Sequence, residues 1–179
     1  MKTLEALLQL VPLDRLPRTG WVLRGIPAPE SIAGHVLGAC HLALALAPRE
    51  EPALALDRIL AQILVHDAPE ARSGDLPRPA ARHLPAGAKA QMEEAIAAEL
   101  LGGLAPAALP AWREFQSGET REARFARLCD RLQLGVQLVA YHRQGVGGLD
   151  EFRVGLASLD TTEFPSASEF QAQVLAALQ

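Results

Sequence analysis

Ile59-Leu60-Ala61-Gln62-Ile63-Leu64-Val65-His66-Asp67-Ala68-Pro69-Glu70 is the stretch that decides the reading of this chain. Its first seven residues form an apolar helical run that ends on a histidine beside an aspartate. Pro69 lacks an amide hydrogen and disfavours helix at Ala68, so the helix fails near the pair. Burying an unpaired carboxylate costs on the order of several kcal/mol, so Asp67 needs a cation, a metal or hydrogen-bond donors. Imidazole nitrogen and carboxylate oxygen together suit a divalent metal. Taken alone, the pair is equally satisfied as a salt-bridged aspartate and a hydrogen-bonded histidine at a helix end.

The pattern around this run is helical almost throughout, rich in Ala and Leu and without sustained period-two alternation. A short amphipathic helix covers 4–10 and stops before Pro12. The stretch 17–29 is dense in Pro and Gly and reads as loop. Ser31 caps a helix to about Ala47 that carries His35 one turn inside. Helices follow over about 54–67, 89–101 and 110–116, with a Pro-rich loop at 69–85 and Gly102-Gly103 closing the second of them. A long helix over 119–143 is apolar almost all round between Leu128 and Ala140, so it belongs in the interior and Asp130 on it is a buried acid in need of a partner. Ser166 with Glu169 has capping-box spacing and starts a terminal helix to Leu178.

The 179 residues are 49% hydrophobic and 21% charged, the composition of one ordinary globular domain spanning 1–179. A net charge of −4 argues against a broad nucleic-acid surface. An acid soon follows in the opening Met1-Lys2-Thr3-Leu4-Glu5, and the apolar runs break before membrane-spanning length, so a cytoplasmic, membrane-free setting is expected. Cys40 and Cys129 lack CxxC spacing and read as free buried thiols.

Five segments read together carry a resemblance: Arg18-Thr19-Gly20-Trp21, Glu30-Ser31-Ile32-Ala33-Gly34-His35, His66-Asp67-Ala68-Pro69-Glu70, Gly74-Asp75-Leu76-Pro77 and Cys129-Asp130. In order and spacing, over roughly residues 15–145, they resemble the HD-domain phosphohydrolases and, within them, the 5′-deoxynucleotidase branch. One His-Asp pair is a weak signal; the combination is specific. The resemblance implies an all-α HD-domain helical bundle around a single divalent metal held by His35, His66, Asp67 and Asp130. Mixed His and carboxylate ligation admits Mn, Co, Mg, Fe, Ni or Zn. It further implies Glu70 and Asp75 as catalytic acids, Glu70 orienting water or passing a proton to the leaving 5′-oxygen. Arg18, Trp21 and Arg24 become candidates for binding substrate, the arginines at phosphate and Trp21 against the deoxyribose. The implied reaction is metal-dependent removal of phosphate from nucleoside 5′-monophosphates, with a homodimer as the expected assembly.

The chain departs from the pattern at Gly34, where relatives commonly carry an acid whose loss could weaken the metal site. His41 is off the His35 face and is expected to be partly buried and hydrogen-bonded. His83 and His142 complete no second metal centre. Two other readings stay open: an HD-type hydrolase of a triphosphate or alarmone, and a non-catalytic nucleotide-binding helical module. The apolar face of the terminal helix (Phe170, Val174, Leu175, Leu178) suits either self-packing or a dimer surface.

Overall fold

The computed structural model describes residues 3–179; Met1 and Lys2, part of the opening read for a leader, lie outside the described residues. The helices are α1 (Thr3–Leu10), α2 (Thr19–Val22), α3 (Ile32–Leu46), α4 (Leu56–Val65), α5 (Glu70–Ser73), α6 (Arg78–Ala81), α7 (Ala88–Leu101), α8 (Ala108–Ser117), α9 (Arg121–Arg143), α10 (Asp150–Ala157) and α11 (Pro165–Ala176). Among the described residues there is no β-strand, only an isolated bridge between Pro17 and Ser31. That bridge closes the Pro/Gly-rich loop through Arg18 N–H to Glu30 C=O (3.0 Å) and Ile32 N–H to Leu16 C=O (2.9 Å). It thereby sets Arg18 and Glu30 beside the start of α3. Short helices α2, α5 and α6 fall within stretches that read as loop; each is a single turn, too short for a hydrophobic period to show.

Helix α9 is the axis. α3, α4, α8, α10 and α11 all pack on it, and α3 and α4 pack on each other. The main core joins Ile32, Ala39, Ala43 and Leu46 of α3 with Ile59 and Ile63 of α4 and Phe125, Cys129 and Leu132 of α9. By length and composition, 32–49 would pass for a membrane-crossing segment, contrary to the expectation that every apolar run is too short. In this fold it is a core helix with one wet side, Leu37 and Leu44 facing outward. Cys40 and Cys129 are buried free thiols.

Helix ends follow local chemistry. Ser31 Oγ accepts from Gly34 N–H at 3.0 Å, and Thr120 Oγ1 accepts from Ala123 N–H at 3.1 Å. The expected capping box at Ser166 does not form. Pro165 occupies the first helical turn, Ser166 Oγ donates to Leu46 C=O, and Glu169 pairs instead with Arg49. The buried Glu50 supplies the cap, accepting from Ser166 N–H at 2.8 Å. The apolar face of α11 packs on its own chain: Val174 is buried in the core, with Phe170, Leu175 and Leu178 against it.

α9 comes close to α10 and α11 because residue 135 is glycine. A Cβ there would stand 3.0 Å from both Leu156 and Val174. Gly135→Ala overpacks that contact, and an expected loss of about 1–3 kcal/mol should appear as a lower urea midpoint. An unchanged midpoint would contradict this close packing.

Candidate active site

His66 is the residue after α4, and the chain does not straighten there. Ala68 N–H bonds Val65 C=O (3.1 Å), Glu70 N–H bonds Asp67 C=O (2.9 Å) and Ala71 N–H bonds Ala68 C=O (3.1 Å). Tight turns thus carry the chain past Pro69 into α5, keeping His66, Asp67 and Glu70 within one compact turn. Trp112 of α8 clamps it by donating Nε1–H to His66 C=O at 3.0 Å.

His35 of α3 and Asp130 of α9 meet this turn. His35 Nε2 lies 2.8 Å from Asp130 Oδ1, and His66 Nε2 lies 3.6 Å from the same oxygen. Asp67 Oδ2 lies 3.1 Å from His66 Nε2 and 4.0 Å from His35 Nε2. Arg18 Nη1 donates to Asp67 Oδ2 at 3.0 Å, and Arg18 Nε is 3.8 Å from Asp75 Oδ2. Asp75 Oδ2 also accepts from Thr19 N–H at 2.7 Å, and Thr19 Oγ1–H donates to Asp75 C=O at 2.7 Å. Gly74, at φ +69° and ψ 167°, makes the turn that aims Asp75 this way, in a region essentially reserved for glycine.

The residues fit a divalent metal. His35 Nδ1 faces Gln133 Oε1 and His66 Nδ1 faces Ile63 C=O (2.7 Å), so in the neutral rings each Nδ1 carries the hydrogen and each Nε2 a lone pair. Donor atoms of His35, His66 and Asp130 lie within 4.8 Å of one another. His66 Nε2 is buried and has no hydrogen-bond partner. Burial opposes charge on His66, but Asp67 and Asp130 outweigh it and hold its proton well above the usual histidine range. Burial likewise opposes ionisation of Asp130, yet His35 and His66 hold its carboxyl well below the usual range. This charge arrangement favours a cation at the point of convergence.

The HD-domain family model matches residues 12–164. The chain belongs to the HD-domain family. Human 5'-deoxynucleotidase HDDC2 is 31% identical to it over 146 residues, covering 78% of this chain and 69% of that protein. The 5'-deoxynucleotidase hdd1 of Schizosaccharomyces pombe is 30% identical, covering 77% and 71% respectively. The crystal structure of PH0347 protein from Pyrococcus horikoshii matches with a TM-score of 0.86 and 27% identity, covering 97% of this chain and 99% of that one.

Within this HD-domain protein, Glu70 is a buried acid whose Oε2 has no hydrogen-bond partner. Burial, reinforced by Asp67 and Asp75, pushes its carboxyl up to about 9, so it keeps its proton at neutral pH in the metal-free protein. Arg18, His35, His66, Asp67, Glu70, Asp75 and Asp130 are therefore one assembly. Trp21 joins it through its backbone, donating N–H to Arg18 C=O at 3.1 Å, while the Trp21 indole and the Arg24 guanidinium have their partners elsewhere. Trp21 is 2% exposed, its ring edge-on to Tyr141 and tilted against Phe152, and its Nε1–H given to Glu30 Oε1 at 3.0 Å. Arg24 pairs with Glu151 and stands over the Phe152 ring. It lines a cavity of about 400 Å³ together with Gly20, Pro77, Arg78 and Arg131. His41 is exposed rather than partly buried, and His83 and His142 lie on the surface.

Three residues near the assembly carried no role in the sequence reading. Gln133 and Glu30 extend from His35, and Lys89 pairs with Glu93 at 3.0 Å while its charge is felt by Glu70 and Asp67. Lys89 had a sequence signal in its i,i+4 acid; Gln133 had none beyond being polar on an apolar helix face.

Gly34, where the chain departs from the pattern, lies in the first turn of α3, one residue before His35. It is exposed, and a Cβ there would meet only Ser31 Oγ, at 3.4 Å. An acid at this third helical position completes a capping box with Ser31. Gly34→Glu is expected to stabilise the protein by about 1 kcal/mol through lower chain entropy and the cap, raising the melting temperature without changing metal affinity. A tighter metal site with no gain in stability would reverse this assignment.

Proposed function

We propose that this chain is a metal-dependent phosphohydrolase that releases orthophosphate from nucleoside 5′-monophosphates, with deoxyribonucleotides as the preferred class. The observation that carries the reading is the convergence of two imidazole Nε2 atoms and a carboxylate beside a buried acid, Glu70, whose Oε2 has no hydrogen-bond partner. His35, His66, Asp67 and Asp130 hold one divalent ion, which when bound supplies Lewis-acid polarisation of the phosphoryl group and activation of the attacking water.

The other steps belong to side chains. Arg18, steadied by Asp67 and Asp75, is the cation that grips phosphate oxygens. Asp75 acts by fixing Thr19 and Arg18 in place. Glu70 donates its proton to O5′ as the P–O5′ bond breaks, and takes one back from the incoming water as the new P–O bond forms. The segments that hold the site also line the Arg24 cavity, through Gly20, Pro77 and Arg131, and that cavity is room for the nucleoside. The relatives named 5'-deoxynucleotidase support the deoxy preference. We further propose a homodimer; the exposed apolar Leu37 and Leu44 on α3 support a pairing surface away from α11.

Arg78 and Arg131, both exposed on that cavity, favour a second reading in which a longer polyphosphate is accommodated. The anion released decides between them. Orthophosphate from deoxyribonucleoside 5′-monophosphates, with ribonucleotides behind, supports the first reading. Pyrophosphate or triphosphate released from longer nucleotides, with monophosphates inert, would replace it by the second.

A further inference from the structure

We propose that Trp21, Glu30 and Gln133 form a directional hydrogen-bond chain that fixes the tautomer of His35 and so sets metal affinity. The inference rests on the metal reading above and adds positioning residues to it. Trp21 Nε1–H can only donate, and it donates to Glu30 Oε1 at 3.0 Å. The Glu30 carboxylate accepts again, through Oε2, from Gln133 Nε2 at 2.9 Å. That contact decides which way the Gln133 amide points: its NH₂ faces Glu30, so its carbonyl faces His35 Nδ1, 2.5 Å away. A carbonyl oxygen there requires hydrogen on Nδ1, which leaves the Nε2 lone pair directed at Asp130 and His66.

Each member is built in place. Gln133 and Trp21 are buried, 4% and 2% exposed. Glu30 is pinned at its backbone as well, its N–H donating to Tyr141 Oη at 3.0 Å and its C=O accepting from Arg18 N–H at 3.0 Å. Space for the Gln133 amide comes from Gly38, one turn beyond His35 on α3. A Cβ at residue 38 would stand 2.9 Å from Gln133 Nε2 and 3.0 Å from its Cγ. The indole that the sequence suggested for the sugar thus acts on the metal site through two intermediaries.

The test is the affinity of the metal-free full chain for Mn²⁺, measured by calorimetry, with folding checked by circular dichroism. Glu30→Gln keeps the shape but lets an NH₂ face Gln133, so the amide can turn its own NH₂ toward His35 and reverse the tautomer. Gln133→Met removes the acceptor outright. Each is expected to weaken Mn²⁺ binding about ten- to hundredfold, with turnover recovering at saturating metal. The exchanged pair Glu30→Gln/Gln133→Glu restores the donor order, from indole to amide carbonyl and from amide NH₂ to carboxylate to His35 Nδ1–H. It should bring affinity back to within about threefold of wild type, a rescue that a purely space-filling role does not produce. If Glu30→Gln fails to fold, Gln133→Met reads the same link. Folded single variants that bind Mn²⁺ like wild type, or an exchanged pair that folds without regaining affinity, would overturn the inference and leave the metal site standing. A wild-type chain that binds no Mn²⁺ would overturn both.

Discussion

Asp130→Asn abolishes metal binding and phosphate release together. Asp130 Oδ1 is the oxygen that both imidazoles face, at 2.8 Å from His35 Nε2 and 3.6 Å from His66 Nε2. An amide keeps the shape but removes the negative charge that balances a dication among buried groups. The expected loss of Mn²⁺ affinity exceeds about a hundredfold, the upper range for losing an outer partner alone. kcat/KM should fall about a thousandfold or more, as for a principal charge-stabilising group. The two losses must coincide. A variant that binds metal normally yet is inactive would make Asp130 a substrate contact, and an active one would remove it from the site.

Glu70→Gln separates binding from chemistry. Glu70 touches no metal-facing nitrogen, so its amide variant should bind Mn²⁺ within a few-fold of wild type. It has no proton to give, and kcat should fall by about 10²–10⁴-fold. The same residue predicts how the metal-free fold responds to pH. In the unfolded chain Glu70 ionises above its ordinary 4.5, whereas in the fold burial, Asp67 and Asp75 keep it protonated to about 9. Between those values the unfolded state has already released this proton, so rising pH withdraws stability from the wild type. Glu70→Gln is exempt, and should melt higher than wild type at about pH 8 with the advantage gone near about pH 4. Melting curves of the metal-free proteins across that range check this; a constant difference would contradict a proton held on buried Glu70.

Much of the fold was legible because the long helices announce themselves. α9 reads as interior because it is apolar almost all round between Leu128 and Ala140, and Asp130 stands out on it as an acid that needs a partner. His66 and Asp67 stand out for the same reason, at the end of an apolar run stopped by Pro69. α10 went unread: Asp150–Ala157 is short and carries Asp150, Glu151 and Arg153 on one exposed side, so its few core contacts leave no period to follow. The capping box at Ser166 was a correct spacing overridden by tertiary partners, Leu46 and Arg49, distant in sequence. Trp21 and Arg24 were assigned to the substrate because an indole and a guanidinium suit it; the fold adds that the indole donates to Glu30 and that the guanidinium, at the cavity edge, pairs with Glu151. Gln133 carried no charge to make its burial conspicuous, although its Oε1 faces Nδ1 of His35.

We propose that one divalent ion at His35, His66, Asp67 and Asp130 makes this HD-domain chain a 5′-deoxynucleotidase. Mn²⁺ titration of metal-free protein, followed by orthophosphate release from a deoxyribonucleoside 5′-monophosphate, tests it most directly. Negligible release without metal, and a rise that saturates at one ion per chain, are expected. Full release in the presence of chelator, or none in metal-loaded protein across the deoxyribonucleoside 5′-monophosphates, would contradict the proposal.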